Sequence, residues 1–180
     1  MKKVFLMFAV AMLTLTANAQ IYLGGELGMW REWQDGANKS SVSVLPEVGY
    51  TLSDQLAIGT VIGYRYNYEK GAKVNALEVA PYLRYTFLQL DNVNLFVDGG
   101  FGFYTYKYKN AAGVSSDAQN AWEVGLKPGV AVNLTDKLSF VTHFGFLGYR
   151  DADAATPFGR NGFGFNADGN ALTFGLYWNF

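Results

Sequence analysis

ALTFGLYWNF, residues 171–180, closes the chain. Leu172, Phe174, Leu176, Trp178 and Phe180 are apolar, and Thr173, Gly175, Tyr177 and Asn179 alternate with them. A period of two puts successive side chains on opposite faces of a strand. One face of this strand is wholly apolar and runs to a bare terminal aromatic, with no polar tail. Such a face is ill suited to water. What solvent it meets depends on whether the rest of the chain carries the same pattern.

It does, eight times in all. The runs are Ile21–Trp30, Val42–Thr51, Gln55–Tyr68, Ala76–Phe87, Val93–Tyr106, Ala121–Asn133, Leu138–Tyr149 and Ala171–Phe180. In the seventh, Leu138, Phe140, Thr142, Phe144 and Phe146 make the apolar face. No charged residue interrupts that face in any run, and Thr60 and Thr142 are its only hydroxyl breaks among aliphatics. The opposite face holds Glu26, Glu47, Arg65, Glu78, Arg84, Asp98, Glu123, Lys127 and His143. It also holds eleven glycines: Gly24, Gly28, Gly49, Gly59, Gly63, Gly100, Gly102, Gly125, Gly129, Gly145 and Gly175. A charged side chain on a lipid-facing strand position costs about 2–4 kcal/mol at the bilayer midplane. Its clean absence over eight runs is what that cost would produce. Glycines suit the crowded interior of a narrow barrel.

The other terminus bears on compartment. MKKVFLMFAVAMLTLTANAQ, residues 1–20, has two lysines, an apolar run from Val4 to Leu15, and Ala17-Asn18-Ala19. This is the form of a secretory signal peptide cut after Ala19. The run is too short for a transmembrane helix, and no later stretch is long enough for one. The expected organisation is a signal peptide over 1–19 and one domain over 20–180. Losing Lys2 and Lys3 leaves 12 basic against 15 acidic residues, a formal charge of −3, which argues against nucleic acid as a partner. No cysteine is present, so packing and backbone hydrogen bonds must supply the stability. Without helices, lipid admits only a closed barrel, because open backbone groups find no partner there. The expected fold is all-β: an eight-stranded, antiparallel, up-and-down transmembrane barrel.

Three connections are tight, at Leu52–Asp54, Leu88–Asn92 and Leu134–Lys137. Four are longer, at Arg31–Ser41, Glu69–Asn75, Lys107–Asn120 and Arg150–Asn170. Alternating short periplasmic turns and long external loops mark outer-membrane barrels, with both termini periplasmic. Pro46, Pro81 and Pro128 lie on the apolar face of even-numbered strands. Proline cannot donate to a ladder, so bulges or kinks are expected at all three.

The signal-like start, eight alternating runs, the loop rhythm and the terminal Tyr177-Trp178-Asn179-Phe180 resemble the small eight-stranded outer-membrane β-barrels of the OmpA/OmpX-like kind. The hairpins with Pro-x-Val-x-Tyr and Gly-Tyr endings most resemble the porin-like barrel domain proteins of Bacteroidetes. The resemblance covers the whole mature chain. It implies an outer-membrane location, contact with outer-membrane lipid and lipopolysaccharide, and a monomer. It also implies Phe180 as a tag for the outer-membrane assembly machinery. The opening strand would then face lipid. For activity, the resemblance implies a non-catalytic envelope protein that presents four external loops to a surface ligand.

The charged face offers the main chemistry. Buried charges persist only when paired and hydrogen-bonded. Counting up from the turns places Arg84 and Lys127 near Asp98 in depth, and Arg65 near Glu78 at the outer rim. Eight strands leave room for little more than side chains, so an ion network plugging the lumen is expected. A narrow pore for small solutes is the alternative. His143, the only histidine, is a possible general base. Some small barrels resemble lipid A-modifying enzymes with a His, a Ser and an acid. Here Val141 and Gly145 flank His143 at the spacing where a serine nucleophile would be needed. It is expected in the interior network, and no catalytic residue is assigned.

Asp151, Asp153 and Asp168 match no compact calcium loop. Neither a metal, a cofactor nor a nucleotide fingerprint is indicated. Phe158, Phe163 and Phe165 are unusual in a solvated loop and suit a barrel cap or a contact. Trp30 and Trp33 give the first loop a similar character. Tyr64, Tyr66, Tyr68, Tyr104, Tyr106 and Trp122 are expected mostly in an interfacial girdle. A secreted lipocalin-like carrier, with the apolar face turned inward, is the remaining alternative.

Overall fold

A computed structural model describes residues 21–34, 37–153, 161–166 and 173–180, without the side chains of 30, 32–34, 37 and 38. Residues 1–20, and with them the signal-peptide reading, lie outside the described residues. The strands are β1 (Ile21–Gln34), β2 (Ala37–Thr51), β3 (Leu56–Glu69), β4 (Ala72–Leu90), β5 (Val93–Lys109), β6 (Gln119–Asn133), β7 (Leu138–His143), β8 (Phe146–Ala152), β9 (Gly162–Asn166) and β10 (Thr173–Asn179). All pairings are antiparallel. Each of β1 to β6 pairs with the next, β6 pairs with β7, β7 with β10, and β10 with β1, which closes an eight-stranded barrel. On the loop side, β8 continues the β7 wall against β6, and β9 adds to β8. The two ends of the barrel differ. Turns at 52–55, 91–92 and 134–137 share one end with Ile21 and Phe180, where Phe180 N–H donates to the Ile21 carbonyl at 3.0 Å. The hairpin tips share the other end.

The apolar face points outward. Leu27, Ile62, Leu77, Val79, Phe87, Phe101, Phe103, Val124, Phe174, Leu176 and Trp178 are exposed. Outward charges in the described strands, such as Arg31, Lys73, Lys107 and Asp151, appear only toward the hairpin tips. This polarity excludes the inside-out carrier. No described helix is long and apolar enough to cross a membrane, and crossing by strands is a separate matter. β4 has 19 residues, about 60 Å of strand, well beyond an apolar band of about 25 Å. The hairpins therefore rise above the lipid as ladder, and three expected loops shrink accordingly. The β3–β4 tip is only Lys70-Gly71, where both residues take positive φ. Gly162–Asn166, expected within a loop, is strand β9.

The seventh run is corrected. It is two strands, because Gly129 pairs with His143 but Leu126 pairs with Leu147. One extra residue therefore sits between them, as a β-bulge at Phe144–Gly145. Gly145 takes a φ of 90°, a conformation L side chains rarely adopt. Phe144 N–H donates to the Pro128 carbonyl at 3.0 Å. The extra residue resets the alternation, so Phe146 points inward and is buried, not outward on the apolar face. Proline fits the pattern only partly. The bulge stands opposite Pro128, whereas the ladders beside Pro46 and Pro81 keep their register. A second irregularity, at Phe87, lies away from any proline.

Candidate functional site: the lumen and its stopper

Inward positions follow from parity, and what meets across the lumen follows from register. All nine expected interior residues lie inside the barrel and line its cavities. They form two tiers.

The lower tier centres on Arg84. Its Nε and Nη2 donate to Asp98 Oδ1 and Oδ2, both at 2.8 Å, as a bidentate pair. Arg84 and Asp98 are direct cross-strand partners on β4 and β5. Glu47 lies 3.7 Å from the same guanidinium and accepts from the hydroxyls of Tyr82 and Tyr177. Tyr22 and Tyr82 share a further hydroxyl contact. Rings surround the guanidinium: Phe96 at 4.0 Å, Tyr82 at 5.2 Å, Tyr177 at 5.5 Å and Tyr22 at 6.0 Å from its carbon, all within the range of cation–π attraction. Four glycines make room for those rings. A Cβ at Gly24 would collide with Tyr177, at Gly49 with Tyr22, at Gly59 with Tyr82 and at Gly129 with Phe96. The lumen is thus filled at one level by a cation, two carboxylates and four rings.

His143 sits above this level on β7. Its Nδ1 is 3.1 Å from Glu26 Oε1 and its Nε2 is 2.8 Å from Asp98 Oδ2. Glu26 also accepts from Thr173 Oγ1 at 2.8 Å. Both ring nitrogens face carboxylates, so no hydroxyl nucleophile is paired with His143 among the described residues. No described group of three or more His, Asp or Glu side chains is placed to hold a metal ion.

The upper tier lies toward the hairpins. Arg65 donates to Glu78 through Nε and Nη2. Glu123 meets Lys127 Nζ at 2.7 Å and Arg150 Nε at 2.8 Å, and accepts from Tyr104 Oη at 2.8 Å. Arg84 and Lys127 are both Cα partners of Asp98 across the strands and so lie at its depth, while the Lys127 ammonium reaches Glu123. One expectation is corrected here. Tyr104 and Tyr106 are buried interior residues, not girdle, because they fall on the inward parity of β5. Tyr64, Tyr66 and Tyr68 sit on the outward parity, and Tyr64 is exposed.

Sequence reasoning missed two kinds of interior residue. The ring set of Tyr22, Tyr82, Phe96 and Tyr177 was signalled by inward parity, but its glycine partners needed the register. Arg150 was placed at the start of a loop. The bulge brings it inside on β8. Asp153 lies near the hairpin end, where its Oδ2 accepts from the Asn120 N–H at 2.8 Å. Asp168 and Phe158, and the side chains of Trp30 and Trp33, are outside the described residues.

Two cavities flank the stopper. One of about 290 Å³ lies on the hairpin side, lined by Arg65, Glu78, Glu123, Lys127, His143 and Arg150 among others. One of about 570 Å³ lies on the turn side, lined by Tyr22, Arg84, Phe96, Asn133, Tyr177 and Asn179 among others. Arg84, Tyr82 and Asp98 stand between them.

A search of curated protein sequences finds no match. Among solved structures, the chain resembles a major outer membrane protein from Thermus thermophilus, at 13% identity and TM-score 0.49, over 90% of this chain and 99% of that one. It also resembles OmpT, an outer membrane protein of Vibrio cholerae solved as a trimer, at 13% identity and TM-score 0.38, over 91% of this chain and 52% of that one. A family model, the outer membrane protein beta-barrel domain, matches residues 4–180. That match spans nearly the whole chain, and with it the chain belongs to the outer membrane protein beta-barrel domain family.

Proposed function

We propose that the protein is a closed, non-catalytic outer-membrane barrel whose hairpins contact molecules at the cell surface. The observation that carries this reading is the Arg84 stopper. Arg84, bonded to Asp98, facing Glu47 and ringed by four aromatics, stands between the two cavities. With the lumen closed, the remaining accessible surface is the outer cavity and the hairpins above the lipid. In this reading residues 1–19 are removed on export, Phe180 is read by the assembly machinery, and the barrel works as a monomer. The hairpin end faces outward, since long connections face the exterior in such barrels. Lipopolysaccharide and surface molecules are the partners in reach.

A non-catalytic role is favoured by His143, which is committed to two carboxylates. A lipid A-modifying activity would alter lipid A mass on expression, and an unchanged mass spectrum is expected.

A second reading, a gated narrow pore, has one observation in its favour: a single side-chain layer separates the two cavities. Single-channel recording in a planar bilayer decides between them. The purified barrel, checked by its boiled-versus-unboiled gel shift, is expected to be silent. Discrete, salt-dependent steps in the unmodified protein would replace the closed reading with the pore.

A further inference from the structure

With His143 counted as an imidazolium between its two carboxylates, the charges of the lumen balance as a whole but not tier by tier. In the lower tier, Glu26, Glu47 and Asp98 face Arg84 and His143. In the upper tier, Glu78 and Glu123 face Arg65, Lys127 and Arg150. The excess cation of the upper tier is at Glu123, one carboxylate shared by two bases and a tyrosine hydroxyl.

Exposure sharpens the asymmetry. The carboxylates Glu78 and Glu123 are 5% and 7% exposed, whereas Arg65, Lys127 and Arg150 are 32%, 40% and 33% exposed. Both acids and all three basic groups line the hairpin-side cavity of about 290 Å³, with Glu26, Glu47 and Asp98 also on its wall, and the basic groups are the ones that reach solvent. Arg150 bonds Glu123 through Nε, and guanidinium carries five N–H donors in a fork suited to oxyanions. Phe146 backs both bases, 4.0 Å from the Arg150 guanidinium carbon and 5.9 Å from Lys127 Nζ. Both Phe146 and Arg150 are inside because of the bulge at Phe144–Gly145. Bulges recur beside functional sites because they re-aim side chains.

We propose that the hairpin-side cavity binds a phosphate group, held by Arg150 and Lys127 with Arg65 on the facing wall. The stopper's acidic tier forms the floor, so the anion is held and not passed through. The site stands whether or not the barrel conducts. The phosphate belongs either to a free solute or to a lipid headgroup at the barrel mouth.

The test uses the whole barrel purified in detergent. Inorganic phosphate is titrated by calorimetry. In parallel, the unfolding temperature is followed with phosphorylated and with dephosphorylated lipid A, since a ligand of the folded state raises it. Saturable heat with inorganic phosphate assigns a free solute. A rise with phosphorylated lipid A alone assigns a lipid. In either case Arg150→Gln is expected to weaken binding about tenfold or more, the usual size of a lost charged hydrogen bond. Glu123→Gln is expected to tighten binding, because it removes the acid that competes for both bases. Glu123→Gln also guards against a merely structural effect, since it disturbs the same bonds yet should act in the opposite sense. No response to either phosphate source overturns the proposal. So does a response unchanged in a correctly shifted Arg150→Gln barrel, or weakened in a correctly shifted Glu123→Gln barrel.

Discussion

Arg84 and the glycines around it show how single positions hold the lumen shut. Arg84→Ala would leave Asp98 buried without its partner, and breaking a buried pair from one side costs about 3–5 kcal/mol. Urea unfolding of the barrel in lipid vesicles should show a loss of that order. A substitution at Gly129 acts by volume instead of charge. A Cβ there falls on the Phe96 ring and close to the Thr142 carbonyl, so Gly129→Ala should cost about 1–3 kcal/mol as an overpacked site. The same substitution at Gly164, where a Cβ meets nothing within 4 Å, should leave the unfolding midpoint unchanged. The charged members of the lumen other than Arg150 were legible residue by residue, because a charged side chain on the inward parity has nowhere else to point. The rings were not. Tyr22 and Tyr177 share the inward parity with Glu26 and Gly175, but aromatics are at home on either face. That each leans on a glycine of a neighbouring strand is a fact of register, and one strand's sequence does not contain it.

At the scale of the strand, the alternation located the walls and misread one of them. Phe144-Gly145-Phe146-Leu147-Gly148-Tyr149 alternates acceptably in either parity, since glycine offers no preference and the large residues are all apolar or aromatic. Only pairing with β6, two intervening residues against three, reveals the inserted one. Removing Gly145 would make the β7–β8 wall continuous and keep Phe146 and Arg150 inside. The deletion is therefore expected to assemble and retain the heat-modifiable gel shift. Removing Gly125 from the unbulged β6 should not be tolerated. It would turn either Glu123 or Lys127 toward lipid, at about 2–4 kcal/mol near the midplane, besides breaking the Glu123 cluster. Failure of the Gly145 deletion with survival of the Gly125 deletion would reverse the assignment of the bulge. The prolines show the same limit. Pro46 and Pro81 each remove one donor, and the barrel absorbs this without a change of register, so a residue-level rule overstated its consequence for the strand.

For the molecule as a whole, closure of the ring puts an ion network where a soluble protein would have an apolar core. The consequence concerns transport. The two cavities are separated by one layer, and Arg84 with Asp98 forms its charged centre. Removing both partners leaves no orphaned charge from that pair, so Arg84→Ala/Asp98→Ala should fold where Arg84→Ala alone is strained. Glu47 would keep its hydroxyl donors Tyr82 and Tyr177, and His143 would keep Glu26. The space vacated lies between a cavity of about 290 Å³ and one of about 570 Å³. Water entering there would meet Glu47 and Glu26, both acidic, below the basic upper tier. The double variant is therefore expected to show small discrete conductance steps in a planar bilayer, with cations favoured over anions in a salt gradient. The unmodified barrel should remain silent under the same conditions. Silence in the double variant, with its gel shift intact, would mean that the four rings close the lumen without the ion pair. The seal would then be aromatic, and its test would move to Tyr82 and Phe96.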